Sequence, residues 1–222
     1  FRTSIMYLVK TPAFIKRLFP NTLWDINNNE KKIYLTFDDG PIPEMTPWVL
    51  DVLEQYDAKG TFFCVGDNIR KYPDIFHSVV ERGHAIGSHT YNHLNGWETD
   101  NLDYLLNVKK AAQLSHSVLF RPPYGKLKPK QAQFLNKHYQ VVMWDVLSGD
   151  FDPNLSDEQV YKNVITNASE GSIVVFHDNI KAKSHLEYAL PRVLDYFTEK
   201  GYSFSAIEEK EVVKPVLVAQ IA

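Results

Sequence analysis

The sequence predicts an α/β protein built on a parallel sheet, a (β/α) barrel of about seven strands, on three observations. Seven short apolar runs alternate with helical stretches once the chain is past residue 31. Most of those runs are continuous rather than alternating, as strands covered on both faces are. The unusual polar residues fall just past the ends of strands, in five loops. That suits the C-terminal face of a barrel better than the single crevice of an open doubly wound sheet.

In order along the chain, residues 1–30 form an N-terminal segment expected to pack on a domain filling 31–222, with "NNNE" at 27–30 as the polar break. Strands are expected at 32–37 (KIYLTF), 60–65 (GTFFCV), 84–88 (HAIGS), 117–120 (SVLF), 140–146 (QVVMWDV), 172–176 (SIVVF) and 202–207 (YSFSAI). Helices are expected at 47–56, 67–82, 99–115, 128–138, 156–169 and 186–200. Ser156 ahead of Asp157, Glu158 and Gln159 reads as a capping box, and Gly83, Gly171 and Gly201 stand where helix C-caps belong.

Bulk properties exclude several classes. A net charge of −3 and a pI near 6.3 leave no basic stripe for phosphate contacts, so no nucleic-acid partner is expected. The one cysteine, Cys64, lies in apolar "TFFCVG"; it cannot form an intramolecular disulfide and reads as a core thiol. No apolar run reaches 18 residues, and "FRTSIMYLVKTPAFIKRLFP" has no long apolar h-region. If Met6 is the natural start the expected location is cytoplasmic; otherwise it is the cell envelope or the exterior, with the signal removed.

The polar residues after the strands carry the chemistry. Asp38 and Asp39 follow the first strand, His89 and His93 ("GSHTYNH") the third, Arg121 and Tyr124 ("FRPPYG") the fourth, Asp150 the fifth, and His177 and Asp178 the sixth. On a helical turn an H-x3-H pair would put both rings on one face, about 5–6 Å apart at Cβ. Two imidazoles and a carboxylate are an open ligand set for a catalytic divalent metal. Adjacent carboxylates at a strand end point apart, so one can bind metal while the other reaches the water it activates. By themselves "DDG" is most simply a turn and H-x3-H a cap beside a surface residue; it is their company that favours a site.

The five segments "TFDDGP", "HTYNH", "RPPYG", the Asp150 region and "IVVFH" resemble, in order and spacing, the motifs of the polysaccharide deacetylase family, the NodB-homology domain of carbohydrate esterase family four. The likeness runs from about Lys31 to about Ile207. It implies a distorted (β/α) barrel with seven strands and hydrolysis of an N-acetyl group on an amino sugar of a peptidoglycan- or chitin-like glycan. It further implies Asp38 as base, Asp39, His89 and His93 as metal ligands, and Arg121 as the group holding the base. Tyr124 would polarise the acyl oxygen through its backbone N–H, His177 would be the general acid and Asp150 its charge partner. The metal expected is Zn2+, with Co2+ or Ni2+ fitting the same ligands.

Phe151 stands where the family usually has Trp, and Val175 where it usually has Leu; both match the apolar pocket for the acetyl methyl and put substrate preference in question. Asp145 and Asp152 flank Asp150 and compete with it for the fourth motif. Asp178 is open between orienting His177 and capping the loop. His84 is expected to be structural, Trp144 core, His77, His116 and His138 surface, and His185 part of a solvated loop. Two other functions use the same residues: an O-acetyl esterase, and a silent glycan-binding protein, which would be expected to have lost the base, a ligand or the acid.

Overall fold

The computed structural model describes residues 7–26 and 29–209; Met6 and residues 210–222 lie outside them. The strands are β1 (Lys32–Asp38), β2 (Thr61–Cys64), β3 (Ala85–Ser88), β4 (Leu119–Phe120), β5 (Gln140–Val141), β6 (Val146–Leu147), β7 (Ile173–His177) and β8 (Ser203–Phe204). The helices are α1 (Ala13–Leu18), α2 (Thr46–Gln55), α3 (Gly66–Lys71), α4 (Pro73–Glu81), α5 (Asn101–Ser115), α6 (Pro129–His138), α7 (Asp157–Asn167) and α8 (Lys183–Glu199).

The sheet runs β5-β4-β3-β2-β1-β7-β6, with β8 on the start of β1. All strand pairings are parallel. The expected fold class therefore holds: a curled, distorted (β/α) barrel. Period-two alternation gives β1 two jobs. Ile33, Leu35 and Phe37 enter the large core shared with the outer helices. Tyr34 enters a smaller inner cluster with Phe63, Leu119, Val142, Ile173 and Ile207. Thr36 and Asp38 follow Tyr34 on that inner face, so the barrel interior turns from apolar to polar as the strand approaches its C-terminal end.

Two expected elements are broken. The helix over 67–82 divides into α3 and α4 at Tyr72, whose φ of −129° and ψ of 58° are non-helical. Pro73 lacks an N–H and crowds the residue before it, which forces the break. The strand over 140–146 divides because it must straddle the barrel: its start pairs with β4 and its end with β7, at opposite edges of the sheet. Between the pieces the backbone pairs with the N-terminal segment instead: Leu23 donates to the Val141 carbonyl at 2.9 Å and Met143 donates to that of Leu23 at 2.8 Å.

Ser156 caps α7 as expected, its hydroxyl accepting from Gln159 N–H at 3.2 Å and its N–H donating to the Gln159 side chain at 2.8 Å. Cys64 is buried, and burial pushes its thiol pKa up. His84 is structural: its Nδ1 accepts from Gly60 N–H at 3.1 Å, and burial lowers its pKa to about 4. His185 is not in a solvated loop. It lies inside α8, nearly buried, with Asp157 2.6 Å from its Nδ1.

Candidate active site

Asp38 ends β1 on the inner face and is 3% exposed. Arg121, just past β4, is fully buried. Its Nη1 donates to Asp38 Oδ1 and to Thr36 Oγ1, both at 2.7 Å. Nη2 donates to the Met143 carbonyl at 2.9 Å and Nε to that of Val142 at 3.3 Å, while the guanidinium plane lies 4.1 Å from the Phe63 ring centre. A rigid fork held by four hydrogen bonds and an aromatic face can hold a carboxylate in one orientation. Thr36, unremarked in the sequence, belongs to this anchor; its place two residues before Asp38 was the available signal.

Asp39 turns away from Asp38, in a left-handed conformation with φ of 83°. Thr90, His93 and Tyr124 also have positive φ, so four of the seven non-glycine residues in that region, among the described residues, belong to this one face. Strained backbone gathers where side-chain placement outweighs local preference. The turn is pinned from below. Asp178 accepts from Gly40 N–H at 3.0 Å and from Thr46 Oγ1 at 2.5 Å, so it caps the turn and does not orient His177. A Cβ on Gly40 would come within 2.1 Å of the Asp178 carboxyl, which explains the glycine of "DDG". Burial pushes the Asp178 pKa up to about 8 against these hydrogen bonds.

His89 and His93 do converge with Asp39, but not on a helix. Residues 89–93 form a loop in which side chains satisfy the backbone. Asn107 accepts from Tyr91 and Asn92 N–H at 2.7 and 3.1 Å, and Thr90 Oγ1 accepts from Leu94 N–H at 3.0 Å. The ring centres are 5.1 Å apart. Nε2 of His93 and His89 lie 3.0 and 3.6 Å from Asp39 Oδ1. His89 Nδ1 faces the Arg121 carbonyl at 2.8 Å, so that nitrogen carries the proton and Nε2 keeps its lone pair. Burial lowers the His89 pKa to about 4 and keeps the ring neutral.

Asp39 Oδ1 is buried and has the two imidazole nitrogens beside it in place of an ordinary hydrogen-bond donor, while Asn179 donates to Oδ2 at 2.6 Å. Burial opposes ionisation of Asp39, but the neighbouring imidazoles hold its pKa below the ordinary carboxylate range. Three donor atoms within 4.8 Å of one another fit a divalent cation. Asn179 was not singled out from the sequence; it follows "VVFHD" by one residue.

On β7, in register with Asp38, His177 is taken twice by Asp150: Oδ1 lies 2.8 Å from Nδ1, and Oδ2 accepts the backbone N–H at 2.7 Å. Burial would lower the His177 pKa, but the Asp150 charge and hydrogen bond, helped by Asp39 and Asp38, raise it to about 10. Neither competing aspartate approaches this ring. Asp145 is held by Lys10, Lys16 and Ser172, and Asp152 by Tyr7. Val175 lies one pleat below His177 on β7, and Phe151 meets the His177 ring edge-on at 5.2 Å. Tyr124 sits in a 3-10 turn over Pro123–Gly125, its ring 4.8 Å from that of His93. Beyond it, Lys126 stands over both Tyr124 and Trp97, at 5.7 and 5.2 Å. Trp97 follows His93 by four residues in "HLNGWETD", and that proximity was its available signal.

Comparison with known proteins agrees with this geometry. Residues 25–142 match the family model of polysaccharide deacetylase. Over 196 residues the chain is 37% identical to a peptidoglycan-N-acetylglucosamine deacetylase of Bacillus cereus, covering 84% of this chain and 91% of that one. A chitooligosaccharide deacetylase of Azorhizobium caulinodans is 33% identical over 162 residues, 69% of this chain and 76% of its own. The crystal structure of a peptidoglycan N-acetylglucosamine deacetylase with 4-naphthalen-1-yl-N-oxidanyl-benzamide superposes with a TM-score of 0.76 at 28% identity, over 86% of this chain and 95% of that one. With its fold, its Asp-His-His cluster and these relatives in agreement, the chain belongs to the polysaccharide deacetylase family.

Proposed function

We propose that this protein is a metal-dependent hydrolase that removes N-acetyl groups from N-acetylglucosamine-type sugars of a glycan, peptidoglycan or chitin-like, releasing acetate. The observation that carries the reading is that the Asp38–Arg121 and Asp150–His177 pairs stand side by side, through the register of Asp38 with His177, next to the Asp39, His89 and His93 cluster. The names of the relatives supply the substrate class. Asp39, His89 and His93 would hold one divalent cation, with Zn2+ the best match to one carboxylate and two imidazoles. Such an ion lowers the pKa of a water and draws electron density from the acyl oxygen.

The chain's own residues do the rest. Asp38 takes the proton of the attacking water while Arg121 holds its Oδ1, leaving Oδ2 for that proton. The Tyr124 N–H faces the acyl oxygen as charge builds there. As the C–O bond forms and the C–N bond breaks, His177 Nε2 gives its proton to the leaving amine. A pKa near 10 keeps His177 charged at neutral pH, ready for that step. Phe151 and Val175 enclose the acetyl methyl, and the rings of Trp97 and Tyr124, each 60% exposed, offer faces on which neighbouring sugars can stack.

Among the described residues no helix is long and apolar enough to cross a membrane. A cell-wall substrate, as in the Bacillus cereus relative, would place the protein in the cell envelope or outside the cell. The test is acetate release from chitooligosaccharides and from peptidoglycan, before and after treatment with a chelator. Release that stops with chelator and returns with Zn2+ supports the proposal. Release indifferent to chelator removes the metal, and release only from O-acetylated glycan makes the protein an esterase.

A further inference from the structure

The Asp150 loop rises from the weakest part of the sheet. β6 is two residues long and lies at the sheet edge, so among the described residues its outer backbone groups have no strand to pair with. The N-terminal segment takes that place. Leu147 N–H donates to the Val9 carbonyl at 2.8 Å, Thr11 N–H donates to that of Asp145 at 2.9 Å, and Lys10 bridges Val146 in antiparallel sense. Side chains repeat the grip on both flanks of Asp150. Lys10 and Lys16 hold Asp145 at 2.5 and 2.6 Å, and the Tyr7 hydroxyl donates to Asp152 at 3.1 Å.

Tyr7 then reaches His177 through one intermediate. Its ring lies 5.2 Å from that of Phe151, and Phe151 lies 5.2 Å from that of His177. Its hydroxyl also sits over Gly149, whose φ is 82° and where a Cβ would come within 2.8 Å of the Tyr7 oxygen. The stretch 149–152 is thus clamped between Tyr7 on one side and His177 on the other.

We infer that the N-terminal segment is a positioning element for the Asp150–His177 pair, and that Tyr7 is the positioning residue that sets the His177 ring through Phe151. This rests on the proposed deacetylase reading for its kinetic consequence. Tyr7 touches no reacting atom; it fixes where His177 delivers its proton. The consequence is selective by leaving group. An amine must be protonated to depart, whereas 4-nitrophenolate departs without a proton.

The test compares the full chain with Tyr7→Ala and Tyr7→Phe on chitopentaose and on 4-nitrophenyl acetate. Tyr7→Ala should lower kcat on the amide by roughly tenfold, the order expected of a displaced acid. KM, bound metal and the ester rate should stay within about twofold. Tyr7→Phe keeps the ring and should restore the amide rate. An unchanged amide rate in Tyr7→Ala overturns the inference, and so does an equal loss on amide and ester. If the unmodified protein releases no acetate from any glycan, it is the deacetylase reading that fails. Positioning is then read from the hydrogen-bonded Nδ1 proton of His177 by NMR. A shifted or broadened signal in Tyr7→Ala supports the inference, and an unaltered one overturns it.

Discussion

Asp38 stands at the middle of the sheet, whereas Asp150 stands at its edge. Asp38 closes a seven-residue strand paired on one side with β2 and on the other with β7. Its partner Arg121 is locked by Thr36 and two carbonyls besides the carboxylate itself. Asp150 follows a two-residue strand with one sheet neighbour, and its loop is held by residues more than 130 positions away in sequence. The difference shows two ways to place a buried carboxylate. Where the ladder is dense, strand register does it. Where the ladder ends, a distant segment must be brought in.

On that contrast, the central half should fail more severely than the edge half. The largest effect is expected for Asp38→Asn, which keeps the metal but removes the base: acetate release should fall on the order of 10³-fold, checked alongside metal content. Next is Arg121→Ala. It leaves the Asp38 carboxylate buried without its partner and should cost about 3–5 kcal/mol of stability in urea unfolding. A loss below about 1 kcal/mol would mean that the centre is no better held than the edge.

Asp150→Asn should be milder in turnover, on the order of 10- to 100-fold, with a diagnostic change in pH dependence. The His177 pKa, raised to about 10, should fall back toward the ordinary imidazole value near 6.5, pulling down the alkaline limb of the rate profile. The same linkage governs stability. Because the folded-state pKa lies above the unfolded one, the pair's contribution is complete below about 6.5 and is lost as pH rises through about 10. The smallest effect is expected for Trp97→Ala, outside both halves. It should raise KM for oligomers roughly three- to tenfold, worth ~0.7–1.4 kcal/mol, with kcat unchanged.

Much of this was legible in the chain as written. Apolar runs and capping residues report local preference, and past residue 31 local preference locates the described strands and helices to within a few residues, whereas α1 (Ala13–Leu18) has no counterpart among the expected helices. The broken helix at Pro73 and the divided strand at 140–146 arise from different causes. Pro73 is visible in the sequence, and a proline inside a helical pattern breaks it at the preceding residue. The divided strand was not visible, because its division follows from bridging two sheet edges that exist only once the barrel has curled.

The site divides in the same way. Residue chemistry and strand-end position singled out Asp38, Asp39, His89, His93, Arg121, Asp150 and His177, and the fold brings all seven to one face. The sequence could not choose among Asp145, Asp150 and Asp152, since three aspartates within eight residues carry the same local signal. It also suggested a helical turn for the two histidines, where the fold uses a loop satisfied by Asn107. Nor did it single out Tyr7, Trp97 or Asn179. Strand identity and residue type are written locally, by alternation, turn chemistry and side-chain donors. Which aspartate meets His177, and what props that pair from behind, depends on contacts between segments far apart in sequence, and only tertiary packing decides those.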